Sequence, residues 1–218
     1  MITAASNSRI KRLVQLNQKS KLRRTEDVFL AEGVKMFLEA PREQLQEVYV
    51  SESFLEKCSC REHLEEVGYE VVSDSVFSKI SDTCTPQGVL CVLKQFHYNI
   101  EEMLRDKAPL FLLLENIQDP GNLGTMLRTG EGAGVSGIIM SRDTVDLYNP
   151  KVIRSTMGSI YRVPFYYADD FAAAVHQVQQ AGVSVYAAHL RGKNSYACQD
   201  YTKGTAFLIG NEGNGLRE

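Results

Sequence analysis

The chain has 218 residues, 44% of them hydrophobic and 23% charged, with a formal net charge of −3. That length suits one large or two small domains with a real core, and no apolar run approaches a membrane span. The start is too basic and polar for a signal peptide, and five sparse cysteines (Cys58, Cys60, Cys84, Cys91, Cys198) without metal-ligand spacing read as reduced thiols of a cytoplasmic protein.

The charge is unevenly spread. Residues 1–24 hold Arg9, Lys11, Arg12, Lys19, Lys21, Arg23 and Arg24 and no acid, so a basic arm precedes an acidic body. Such an arm suits a polyanionic partner, and the plain alternative is a solvated helix face. Ile10, Leu13, Val14 and Leu16 recur at helical spacing, so residues 7–18 are predicted as an amphipathic helix carrying these cations. Strands are predicted at 28–31, 48–50, 69–72 and 89–93, with helices at 32–40, 53–66 and a short one from 74. This makes an α/β unit over 1–95. The polar stretch 96–108 is expected as a linker, and a second α/β domain over 109–218.

That second domain has the stronger rhythm. Strands are predicted at 110–114, 138–140, 163–167, 183–187 and 205–209. Helices are predicted from Asn122 to Gly132, over 150–157, and from a cap at Asp169 or Asp170 to Gln180. Strands separated by helices imply right-handed crossovers and a parallel sheet. The all-apolar 110–114 is expected to be buried on both faces.

The glycines then sort themselves. Gly132, Gly134 and Gly137 spell GxGxxG, but they end a helix and lead into a strand, the reverse of a dinucleotide site. They read as a helix stop. The loop after 110–114 is different: Asp119 to Gly124, with Arg128 on the helix behind it. Asn122 could be no more than a helix cap, whereas Arg128 is expected at the carboxyl edge of the sheet. The loop after 205–209, Gly210 to Gly215, should reach the same edge, as either a ligand loop or a hairpin turn. Asn149, Pro150, Arg154, Ser155, Gly158 and Ser159 are expected to gather there too. An arginine fork among small hydroxyl and amide residues suits phosphate or ribose.

Together these segments carry a family resemblance. DPGNLGTMLRT (119–129) resembles the first motif of the SpoU (TrmH-type) RNA ribose methyltransferases of the SPOUT superfamily. STMGSIYRVP (155–164) resembles their middle segment and IGNEGNGL (209–216) their second motif. RIKRL, FLAEGVKMFLEA and PQGVL in the first half resemble, more loosely, the substrate-binding domain of the ribosomal-RNA branch. The resemblance implies a trefoil-knotted sheet, S-adenosylmethionine as methyl donor, no metal, and a homodimer. It puts Asn122, Arg128 and Glu212 at catalytic positions. Ile209, Gly210, Gly213 and Gly215 fall where the donor is cradled. RNA contacts are expected from Arg9, Lys11, Arg12, Lys21, Arg23, Arg24, Arg154 and Ser155.

The reaction so implied is 2′-O-methylation of RNA, ribosomal RNA first and transfer RNA second. The alternative is a non-catalytic RNA-binding paralogue of the same fold, against which the presence of Asn122, Arg128 and Glu212 speaks. A third family motif, a Ser-Leu-Asn stretch and helix, would follow Glu218. The chain is therefore expected to be a fragment whose knot is incomplete and whose own activity is impaired.

Overall fold

In the computed structural model of the protein, residues 1–217 are described; Glu218, the end of the glycine-rich stretch, lies outside them. Two compact units are present, Met1–Phe96 with Asp146–Tyr161, and His97–Val145 with the residues from Arg162 onward.

The first unit opens with α1 (Ser8–Gln18), capped by the Asn7 side chain, which accepts the Arg9 N–H. Its buried stripe is Ile10, Leu13 and Leu16, at the predicted helical spacing. Then come α2 (Ser20–Glu26), β1 (Val28–Glu32), α3 (Val34–Leu38) and β2 (Leu45–Ser51). They are followed by α4 (Glu52–Lys57), α5 (Arg61–Val67), β3 (Glu70–Val72), α6 (Asp74–Ile80) and β4 (Val89–Lys94). The sheet order is β1-β4-β2-β3, with β4 antiparallel to both neighbours and β3 parallel to β2. The helix predicted over 53–66 is two helices, because the chain turns extended at Cys58. Cys58, Ser59 and Cys60 are poor helix formers in succession, and nothing in the 3.6-residue pattern reveals the break.

Residues 146–161 fold with this first unit, although the chain reaches them through the second. A helix over Pro150–Thr156 lies against β1, and Leu147, Val152, Ile153 and Ile160 are buried. The Tyr148 ring sits 4.9 Å from that of Phe29, and its hydroxyl both accepts the Phe96 N–H and donates to the Phe96 carbonyl. One continuous cut between two domains does not anticipate this return.

In the second unit, α7 (Ile100–Met103) falls inside the stretch expected as linker, and both its end residues are buried in the core. The series continues with β5 (Leu110–Leu114), α8 (Pro120–Ala133) and β6 (Gly137–Ser141), passes through the first unit's α9 (the Pro150–Thr156 helix already described), and returns at β7 (Phe165–Ala168). It ends with α10 (Phe171–Gln180), β8 (Ser184–Ala187) and β9 (Thr205–Ile209). The sheet is parallel throughout, in the order β7-β6-β5-β9-β8. The central strand β5 pairs with β9 from Leu110 opposite Thr205 to Leu114 opposite Ile209. Burial is one-sided in places: Leu110, Leu112 and Phe207 to Ile209 are only half-buried. Gly134, left-handed at φ 73, ends α8, as the helix-stop reading of GxGxxG requires. Gly137 opens β6, and a Cβ there would lie 2.2 Å from the Met103 side chain.

Arg23 is a structural residue of the first unit. It is 3% exposed and donates to the Leu16 carbonyl at 2.6 Å and to Asp146 at 2.6 Å. Replacing Arg23 by Ala would strand that carboxylate and the carbonyls of Leu16 and Asn17. We expect a loss of about 1–3 kcal/mol, read as a lower urea midpoint, because Asp146 is part-exposed and keeps the Tyr148 N–H.

Candidate active site

Two loops separated by almost a hundred residues meet at the carboxyl edge of the parallel sheet, because the β5–β9 register delivers both strand ends together. The Glu115 N–H continues the pairing by donating to the Ile209 carbonyl at 2.9 Å. Helix α8 begins at Pro120, and its cap is Asp119, whose Oδ1 accepts the Asn122 N–H at 2.8 Å. Asn122 is therefore neither the cap nor the first helical residue. Proline is preorganised for the first helical position, which starts the helix two residues earlier. Relieved of capping, the Asn122 side chain donates from Nδ2 to Glu212 at 3.2 Å.

Glu212 is the hub. One carboxylate oxygen accepts the Asp119 N–H at 3.1 Å as well as Asn122, and the other accepts the Gln118 N–H at 3.2 Å. Burial opposes its charge, but the N–H groups of Glu212, Asp119 and Gln118 and the Asn122 amide outweigh it and hold the carboxyl below its ordinary range. Beside it, Asn211 donates from Nδ2 to the Asn116 carbonyl at 2.8 Å, while its Oδ1 accepts from Gly213 and Asn214. Asn211 and Gly215 also exchange both backbone hydrogen bonds, so the loop is a closed turn set on the end of a parallel strand. That closure is what the hairpin-turn reading expects. Gly210 is packed so closely that a Cβ would lie 2.3 Å from the Gly215 backbone, and Gly215 itself is at φ 70. Ile209 ends β9 beneath this turn.

Arg128 is not part of this network. It lies six residues beyond Asn122 on α8, about 9 Å further along the axis. It is exposed, and no hydrogen bond or ion pair holds it among the described residues.

Other predicted residues are spent elsewhere. Arg12 pairs with Glu26 and Glu47, each at 2.7 Å, Arg9 pairs with Glu70, and Arg23 is the buried clip already described. Only Lys11, Lys21 and Arg24 of the expected RNA-binding set on this arm are exposed and without an ion pair among the described residues. Helical periodicity marks Arg12 as solvated but cannot see acids arriving from β2. Arg154 pairs with Asp82 at 3.1 Å, and Ser155 donates back to the Lys151 carbonyl at 2.8 Å. Both belong to the first unit, so the third cluster does not share a unit with the two loops.

Several residues escaped the sequence reading. The Arg217 N–H donates to Glu115 at 2.8 Å, and its guanidinium pairs with Asp143. A hydrogen bond from Ser141 keeps the Asp143 carboxyl low, against burial and with help from Arg217. A cavity of about 360 Å³ lies between β8, the middle of β9 and the segment joining them, lined by Tyr186, Ala187, Ala188, Gly192, Tyr201 and Phe207 among others. The usable signal was position after a parallel strand, which applies to β6 and β8 as it does to β5. Among the described residues, no group of three or more His, Cys, Asp or Glu could hold a metal ion, and no helix is long and apolar enough to cross a membrane.

Comparison with known proteins now bears on this geometry. Residues 109–218 match the SpoU rRNA Methylase family, and residues 7–91 match the MRM3-like substrate binding domain. The chain belongs to the SpoU rRNA Methylase family. It is 31% identical over 218 residues to the 23S rRNA (guanosine(2553)-2'-O)-methyltransferase RlmP of Bacillus subtilis, covering 99% of this chain and 84% of that one. An rRNA methyltransferase from Sinorhizobium meliloti superposes with a TM-score of 0.85 at 29% identity, covering 99% of this chain and 83% of that one. The AdoMet-bound form of that enzyme gives 0.83 at 29%, covering 99% and 82%. The α/β fold with its parallel sheet is that of the SPOUT methyltransferases.

The Glu212 tether has a pH signature. Because its carboxyl is depressed in the fold, its stabilisation is complete above the ordinary carboxylate value near 4.3 and lost as pH falls through the lower folded value. Glu212→Ala should imitate acid at neutral pH. Amide exchange at Gln118 and Asp119 is expected to accelerate in that variant, after correction for intrinsic rates, and to match wild type if the tether is idle.

Proposed function

We propose that this chain transfers a methyl group from S-adenosylmethionine to a ribose 2′-hydroxyl of RNA, in the cytoplasm and as a homodimer, with ribosomal RNA as substrate. The observation that carries the reading is the Glu212 tether, which joins the family's first and second motifs at one sheet edge beside an unpaired Arg128. The name of the Bacillus relative and the AdoMet-bound Sinorhizobium structure point the same way.

The residues present fit the donor. The Gly210 backbone lies where a Cβ would collide with Gly215 and Leu216, so only glycine allows the turn to close. The neighbouring cavity offers the aromatic faces of Tyr186 and Phe207 and the small Ala187 and Ala188, a suitable lining for an adenosine group. We assign Ile209, Gly210, Gly213 and Gly215, on the turn that follows Phe207 and outside that cavity's lining, to the donor's backbone cradle. S-adenosylmethionine supplies an electrophilic methyl on a positively charged sulfur.

The chain's own residues orient the hydroxyl and accommodate its charge. A guanidinium has donors and no acceptor, so the role we assign to Arg128 is not that of the base. Its free, exposed guanidinium is suited to gripping the phosphate beside the target ribose and to stabilising the developing alkoxide. Glu212 is also a poor base: both oxygens already accept hydrogen bonds, and its pKa is depressed. It is a positioning residue, and so is Asn122. The hydroxyl proton passes to an RNA phosphate oxygen or to water, and alignment supplies much of the rate.

Arg128→Ala is expected to abolish methyl transfer to RNA while leaving S-adenosylmethionine affinity within a few-fold, measured by tritium transfer and titration calorimetry. Wild-type turnover in that variant would remove Arg128 from the mechanism. For the arm, replacing Lys11, Lys21 and Arg24 together should reduce the logarithmic salt slope of single-stranded RNA binding by about 0.7 for each lost contact. An unchanged slope would return the arm to a solvated helix face.

A further inference from the structure

Away from the glycine loop, the first unit carries a cavity of about 250 Å³ whose lining includes Lys35, Thr83, Thr85, Gln87, Arg154 and Met157. Met157 caps α9 at φ 51, a left-handed conformation that is costly with a Cβ and usually left to glycine. The residue is 44% exposed, so burial does not explain a methionine there. Strain at an exposed apolar residue beside a cavity is a reason to look for a ligand.

The polar groups around it are unevenly used. The Gln87 Oε1 accepts the Val34 N–H at 2.9 Å, which fixes the amide, while its Nε2 has no partner among the described residues. The Thr85 hydroxyl likewise has none among them. The acids are already occupied. Glu32 accepts from the Ser81 and Thr83 hydroxyls and the Asp82 N–H, and Asp82 pairs with Arg154. The Lys35 pairing with Glu39 is long, 3.6 Å, and exposed, so its ammonium is lightly held.

We propose that this cavity receives a single unpaired nucleobase of the substrate RNA. The Met157 thioether lies against the ring face, the Gln87 amide donates to an acceptor on the base edge, and Lys35 neutralises a flanking phosphate. The proposal rests on the methyltransferase reading above and adds to it a recognition site in the first unit. The chemistry favours this ligand over duplex. Bases are read individually when splayed from a single strand, sulfur makes favourable contacts with aromatic rings, and an amide donor complements ring nitrogens or carbonyls.

Fluorescence anisotropy with labelled decaadenylate and with an RNA duplex of the same length tests it. Met157→Gly suits the left-handed backbone, so its urea midpoint should not fall, while decaadenylate binding should weaken about three- to tenfold. Gln87→Glu keeps an oxygen for the Val34 N–H but loses the free donor, and should weaken the same binding without affecting the duplex. Wild-type affinity in both variants would overturn the site, as would an equal loss on duplex, which would mean phosphate tracking alone. A changed sedimentation coefficient with unchanged RNA binding would also overturn it, because a second copy of the chain would then cover this surface. Any of these results with methyl transfer intact leaves the enzymatic reading standing. A wild-type chain that neither binds nor methylates RNA overturns that reading and this site with it.

Discussion

One carboxylate holds the candidate site together. Glu212 reaches from the turn after β9 to the loop after β5 and accepts from two backbone N–H groups and from the side-chain amides of Asn122 and Asn211. Loops are ordinarily the least stable parts of a fold, and these two are made mutually dependent by that bridge. The bridge in turn requires the β5–β9 register. A slip of one residue would move the Gln118 and Asp119 N–H groups roughly 3 Å from the acid and reverse the faces of the strand.

The same arrangement divides labour among the charged groups. Glu212, saturated with hydrogen bonds, shapes the site and has little capacity left to accept a proton. Arg128, on the same helix as Asn122 yet outside the network, has no hydrogen-bond or ion-pair partner among the described residues. A second tie, from Arg217 to Glu115 and Asp143, secures the end of the glycine loop against the strand ends of β5 and β6. A methyl-transfer site that works by alignment needs this kind of rigidity more than it needs a strong base.

The first unit shows how unreliable a cation count is as a map of a binding surface. The basic arm reads as uniform along the chain, yet its arginines and lysines have different fates. Arg12 and Arg9 meet acids from other elements, and Arg23 is buried as a clip on Asp146. Lys11, Lys21 and Arg24 remain available. Arginine's planar fork suits it to bridging several acceptors within a protein, and lysine's hydrated ammonium favours solvent.

Much of this was legible from the residues alone. The strands over 110–114 and 205–209, a cap at Asp169 or Asp170 (it is Asp170) and the helix stop at Gly134 all follow from local signals: apolar runs, cap chemistry and glycine spacing. Local signals describe what a segment does with its near neighbours. They do not reveal that Asp119 takes the cap and frees Asn122 for Glu212, that Cys58 breaks a helix, or that residues 146–161 fold with the first unit. Nor do they show Arg23 finding Asp146 more than a hundred residues away. Those outcomes depend on which distant partner arrives at each polar group or apolar face, and tertiary packing alone decides that, because a buried donor or acceptor is stable only where its partner is within hydrogen-bonding reach.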